Sequence, residues 1–118
     1  MSGARLPKQA RLLNAADFNR VFDKSVRSSD QYFTVLVRPN DLNRPRLGMA
    51  ISKRRVKLAV GRNRLKRLVR ENFRLSEYNC SADYVVMAGK RGAVGTNQEL
   101  TRSLEKHWGS LKKKCADF

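Results

Sequence analysis

The sequence predicts a single α+β domain. Three observations predict it: a length of 118 residues, three stretches with helical apolar spacing, and three short runs rich in β-branched and aromatic residues. That length suits one domain and leaves no room for two. The order helix, strands, helix, strand, helix suits a sheet packed against helices, an α+β sandwich.

Residues 1–13 read as a basic, weakly ordered arm. Asn14-Ala15-Ala16-Asp17 supplies an N-cap and an acid in the first turn. Ala15, Phe18, Val21, Phe22 and Val26 follow at helical spacing, so a first helix is expected near Ala15 to Ser25. Ser28-Ser29-Asp30 breaks it. Tyr32 to Arg38 reads as a strand. Pro39-Asn40-Asp41 begins a turn that Asn43-Arg44-Pro45 prolongs. Leu47 to Lys53 reads as a second strand, in which Gly48 marks a bulge or a close approach of backbone. Arg54 to Gly61 is a basic connector into a central helix over residues 59–75. Tyr78 to Ala82 is a loop, Asp83 to Ala88 a short buried strand, and Lys90 to Gly95 a glycine-containing loop. Thr96 then caps a last helix to Lys113, with Leu100, Leu104, Trp108 and Leu111 on one face. Thr96-Asn97-Gln98-Glu99 matches the capping-box pattern.

Charge narrows the function classes. Lys and Arg number 26 against 10 Asp and Glu, a formal charge of +16. Such an excess opposes compaction through self-repulsion, which a bound polyanion relieves. Nucleic acid is the first candidate, an anionic membrane the second. No apolar run approaches the roughly 20 residues of a spanning helix, and no apolar signal core follows the basic N-terminus. The cytoplasm is therefore the expected location. Cys80 and Cys115 form no C-x-x-C pair, and one histidine gives no zinc set. Both thiols read as structural or incidental.

Between Leu42 and Arg70 there are eleven Lys and Arg and no acid. With Val60 at zero and about 100° per residue, Leu65, Leu68, Val69 and Phe73 fall between roughly 80° and 220°. Asn63, Arg64, Lys66, Arg67, Arg70 and Arg74 fall on the other side, interrupted only by Glu71. A solubilising face would mix charge signs, because like charges four residues apart cost about 0.2–0.5 kcal/mol per pair. A phosphate backbone reverses that sign, and the arginine fork can grip phosphate through two parallel bonds. Asn63 can reach a base, a phosphate or a 2′-hydroxyl, or serve as a helix-start residue.

These residues carry a resemblance. The run Ala59-Val60-Gly61-Arg62-Asn63-Arg64-Leu65-Lys66-Arg67-Leu68-Val69-Arg70-Glu71-Asn72-Phe73-Arg74 resembles the signature of the bacterial ribonuclease P protein family, Arg-Asn-x-x-Lys-Arg-x-x-Arg on a helix. The preceding strand end, Gly48-Met49-Ala50-Ile51-Ser52-Lys53-Arg54, and the first helix, Asp17-Phe18-Asn19-Arg20-Val21-Phe22, match as well. The likeness covers nearly the whole chain in order and length.

The resemblance implies a small α/β sandwich on a four-stranded mixed sheet, similar to the second domain of ribosomal protein S5. It also implies a left-handed β-α-β crossover through the basic helix. A catalytic-RNA-binding role passes to Lys53, Arg54, Arg62, Asn63, Arg64, Lys66, Arg67, Arg70 and Arg74. A cleft for the single-stranded 5′ leader of precursor tRNA passes to Phe18, Phe22, Thr34 and Leu36. Family members often place a tyrosine where this chain has Leu36. From spacing alone Phe18 and Phe22 read first as a core pair; the resemblance reverses that preference, and as i,i+4 rings they make stacking platforms, worth about 1–3 kcal/mol per base. The implied partners are the catalytic RNA and precursor tRNA, with neither membrane nor DNA. No cofactor is assigned to the protein, and the Mg2+ required by the holoenzyme is expected to be held mainly by RNA. The alternative is a ribosomal or other structural RNA-binding protein. A stand-alone nuclease is opposed by the lone His107 and by the scatter of Asp17, Asp23 and Asp30.

Overall fold

The computed structural model describes residues 6–76 and 80–116. The chain forms α1 (Ala15–Asp23), β1 (Val26–Ser29), β2 (Phe33–Pro39), β3 (Arg46–Ala50), α2 (Ala59–Leu75), β4 (Ala82–Ala88) and α3 (Asn97–Ala116), after a short 3₁₀ turn at Lys8–Ala10. The sheet order is β1-β2-β4-β3. β1 and β2 are antiparallel, as are β2 and β4, whereas β3 and β4 are parallel. The mixed four-stranded sheet is therefore present. Its parallel pair is joined through α2, as the β-α-β unit requires.

Alternation along β2 divides the core. Phe33, Val35 and Val37 face one side with Tyr84 and Val86 of β4. They meet Leu65, Val69 and Phe73 of α2 and Leu100, Leu104, Trp108 and Leu111 of α3. Phe73, Tyr84 and Trp108 pack edge-on at centroid distances of 5.3, 5.6 and 5.7 Å, the geometry favoured by ring quadrupoles. The Trp108 indole N–H donates to Asn72 Oδ1 at 2.6 Å. On the opposite face, α1 covers a smaller cluster. Leu12, Val21 and Val85 are buried there, with Phe18, Leu36, Ala50 and Met87 partly so.

Both expected caps form. Asn14 Oδ1 accepts from the Asp17 N–H, and Thr96 and Glu99 exchange the two bonds of a capping box. Gly48 is a close approach. A Cβ there would lie 2.6 Å from the Phe18 ring and 2.9 Å from Leu12.

Several expectations are corrected. Residues 26–29 form β1 rather than a break, because they pair with residues 34–37 of β2. The weakly ordered arm does not extend through residues 6–13. Leu6 and Leu12 are buried, and Arg11 bridges to Leu47 on the outer edge of β3. The second strand ends at Ala50 rather than Lys53, because Ser52 Oγ accepts the Arg55 N–H and starts a turn. Tyr78 and Asn79 of the expected loop lie outside the described residues. Cys80 and Cys115 are paired as a disulfide, tying the segment before β4 to the last turn of α3.

Candidate nucleic-acid interface

α2 is amphipathic as its sequence requires. Leu65, Val69 and Phe73 are buried, while Asn63, Arg64, Arg67 and Arg74 are exposed and Lys66 and Arg70 partly covered. Lys53 and Arg54 stand exposed in the turn that leads into it. Among the described residues, Lys53, Arg54, Lys66, Arg67, Arg70 and Arg74 form no ion pair with a carboxylate. Two members of the predicted set are engaged within the fold. Arg62 falls about 200° around the wheel, inside the apolar sector, and its guanidinium turns back to donate to the Val56 and Lys57 carbonyls. Arg64 donates to the Gly95 carbonyl and to Asn97 Oδ1 at the start of α3.

The second surface lies across the sheet, beneath α1. Phe18 is half-buried against the smaller cluster, whereas Phe22 is 47% exposed. Their ring centroids are 6.4 Å apart and their planes differ by 30°. Leu36 is part of this floor, and Thr34, two residues away on the same strand face, pairs its hydroxyl with Ser29 Oγ at 2.8 Å. Tyr32 and Phe33 pack on the other side with the main core, so β2 supplies no aromatic residue here. Met87 and Ala50 complete the floor; they were not predicted, and only the strand register reveals them.

Sequence reasoning also missed a charged row at one end of this surface. Arg38, Asp83 and Arg46 are direct neighbours across β2, β4 and β3. Asp83 is fully buried. It accepts from Arg46 Nε and Nη2, each at 2.8 Å, and from Asn40 Nδ2 at 2.8 Å. Arg20 of α1 lies 3.5 Å away, and Arg46 reaches Asp17 of α1 at 3.6 Å. Arg38 donates to the Arg20 carbonyl at 2.9 Å. Burial pushes the Asp83 carboxyl up, but the bonds from Arg46 and Asn40 and the two guanidinium charges outweigh it. Its pKa lies below the usual carboxylate range.

His107 is 1% exposed. Its Nδ1 lies 2.6 Å from Ser28 Oγ, and its Nε2 is 3.3 Å from Asp30 Oδ2 but out of line for a hydrogen bond. Asp30 also accepts from the Ser103 hydroxyl. These residue types recur in hydrolases, yet the His107 imidazole is itself buried between the sheet and α3, while Ser28 and Asp30 are only partly covered. Among the described residues, no three His, Cys, Asp or Glu converge as a metal site.

The architecture, the signature helix and the comparisons agree. The ribonuclease P family model matches residues 6–112. The chain belongs to the ribonuclease P protein family. The ribonuclease P protein component of Methylococcus capsulatus is 46% identical over 115 residues, which cover 97% of this chain and 90% of that protein. The Staphylococcus aureus RNase P protein superposes with a TM-score of 0.81 at 30% identity, over 87% of this chain and 95% of that one. A mutant of the S. aureus protein with defective mRNA degradation activity superposes at 0.82 and 31% identity, over 89% and 90% of the two chains. The ribosomal-protein alternative is not favoured by these relatives. The chain is the protein subunit of ribonuclease P.

Proposed function

We propose that this subunit binds the catalytic RNA through the outward face of α2 and the 5′ leader of precursor tRNA in the cleft beneath α1, and that the RNA carries the hydrolysis. One observation carries the reading. Among the described residues, the cations of the α2 face lack carboxylate partners, whereas Arg20 and Arg46 on the other side of the sheet are ion-paired. Unpaired like charges on one helix face destabilise a free protein slightly and favour a polyanion strongly, through counterion release. The rings of α1 provide stacking surface for unpaired bases.

Hydrolysis of a phosphodiester needs an activated water and a stabilised leaving oxygen, typically through metal ions. The protein's own donors do not fit such a metal, since no cluster of suitable side chains converges among the described residues. The residues present position RNA: arginines hold phosphates, and rings and hydroxyls line the leader path. In this reading the subunit works in the cytoplasm on precursor tRNA, with neither DNA nor membrane as a partner. Among the described residues no helix is long and apolar enough to cross a membrane.

The test is cleavage of precursor tRNA by highly purified protein, with and without the catalytic RNA, across magnesium and salt concentrations. Activity is expected only with RNA and a divalent cation. At high ionic strength, where RNA–RNA repulsion is screened, the RNA should depend less on the protein. An mRNA substrate belongs in the same series, given the S. aureus mutant. Robust precursor cleavage by RNA-free protein would overturn the reading.

A further inference from the structure

α1 is nine residues long and fully buries only Val21. One aliphatic side chain and the half-buried Phe18 form a narrow apolar footing about which a short helix can roll. With Asp17 at zero and about 100° per residue, Val21 lies near 40°, Phe18 near 100°, Phe22 near 140° and Arg20 near 300°. The two rings thus sit on one flank of Val21, and Asp17 and Arg20 on the other. Both charged residues run to the same buried carboxylate. Arg20 approaches Asp83 directly, and Asp17 meets it through Arg46. Arg38 adds a bond to the Arg20 carbonyl.

We propose that Asp83 is a positioning residue for leader recognition, holding α1 against roll through Arg20 and the Arg46–Asp17 pair so that Phe18 and Phe22 stay aligned over the floor of the cleft. The proposal rests on the leader-cleft reading. A roll of about 20° carries a ring about 2 Å at the outer radius of a helix, enough to spoil stacking. The apolar footing keeps α1 docked, while the charged flank sets its angle. Asp83 touches no RNA in this scheme. Its effect reaches substrate only through the rings.

Asp83→Asn is the direct variant, but it strands two arginines and can fail to fold. Arg20→Gln and Asp17→Asn each cut one arm near the surface. Asp17→Asn also removes no cation, so its effect cannot come from a lost phosphate contact. Holoenzyme reconstituted with each variant is tested for binding of precursor tRNA with a multi-nucleotide leader and of mature tRNA. Phe18→Ala serves as the reference for the cleft, and Arg20→Lys as the conservative rescue. Both arm variants should weaken leader-bearing precursor about fivefold or more, on the scale of one stacked base. Mature-tRNA affinity, catalytic-RNA affinity and the saturated cleavage rate should be unchanged, and Arg20→Lys should restore binding. If Phe18→Ala loses leader discrimination while both arm variants keep it, the positioning role is overturned and the cleft stands. If the arm variants weaken precursor and mature tRNA equally, the network serves only general stability and the proposal is overturned. If Phe18→Ala itself changes nothing, the cleft reading fails and the positioning role falls with it.

Discussion

Arginine does two kinds of work in this molecule, and the partners of each guanidinium separate them. Arg46 grips a carboxylate with no exposure, and the grip raises its own pKa. Removing it leaves Asp83 buried with only Asn40 and the more distant Arg20 nearby. Arg46→Ala should therefore cost about 3–5 kcal/mol of folding free energy, the usual range for breaking a buried pair. Arg67→Ala, on an exposed site without a carboxylate partner among the described residues, should stay within about 0.5 kcal/mol. Denaturant unfolding of both variants checks this, and equal losses would contradict the division. RNA binding should show the reverse. Arg67→Ala and Arg70→Ala should each weaken catalytic-RNA affinity and lower the log–log salt slope by about 0.7–0.9. Unchanged slopes in well-folded variants would remove α2 from the interface. The α2 stripe was legible because its period lies within one helix. Asp83 was not, because its partner is 37 residues away and meets it only through the β3–β4 register. Arg62 shows the opposite limit. The resemblance assigns it to RNA, yet its wheel position already put it beside the core.

At the scale of elements, strong periodicity was readable and weak edges were not. α2 forms over the expected residues 59–75, since seventeen residues of consistent patterning leave little choice of face. β1 was missed because Ser28 and Ser29 look like a breaker, and four residues carry too little pattern to oppose that. Pairing with β2 overrides the local preference. The docked segment before α1 was missed for a similar reason. Its two buried leucines are spaced by strand-edge contacts that no helix or strand period describes. The packing of α3 on β1 creates a pH response. Burial pushes His107 below its ordinary pKa, with Asp30 partly opposing. A base depressed in this way favours the folded state above its unfolded pKa, and that stability is lost as pH falls. The unfolding free energy should decline as pH drops from 7 toward 5, by no more than about 1.4 kcal/mol per pH unit for a single proton. The chain has one histidine, so His107→Gln should flatten this window. Chemical denaturation at pH 7, 6 and 5 reads it directly, and an unaltered slope in the variant would assign the response to other groups.

For the whole molecule, the sheet keeps the two proposed RNA-facing surfaces apart, with α2 and α3 on one face and α1 on the other. An excess of sixteen positive charges surrounds both. The strand order also governs how such a molecule can come into being. β4 lies between β2 and β3, although it is synthesised after both. A nascent chain that has emerged as far as Leu75 holds three strands, with a gap between β2 and β3, and a basic helix whose apolar stripe has little to cover it. Domains fold as units during synthesis, and here the unit closes only when Ala82–Ala88 slots into the gap and α3 follows. Until then the cations are carried on a helix that has no complete sheet to dock against. The face that α2 turns outward takes shape near the end of translation, so the proposed assembly with RNA through that face would be timed by the chain's last third.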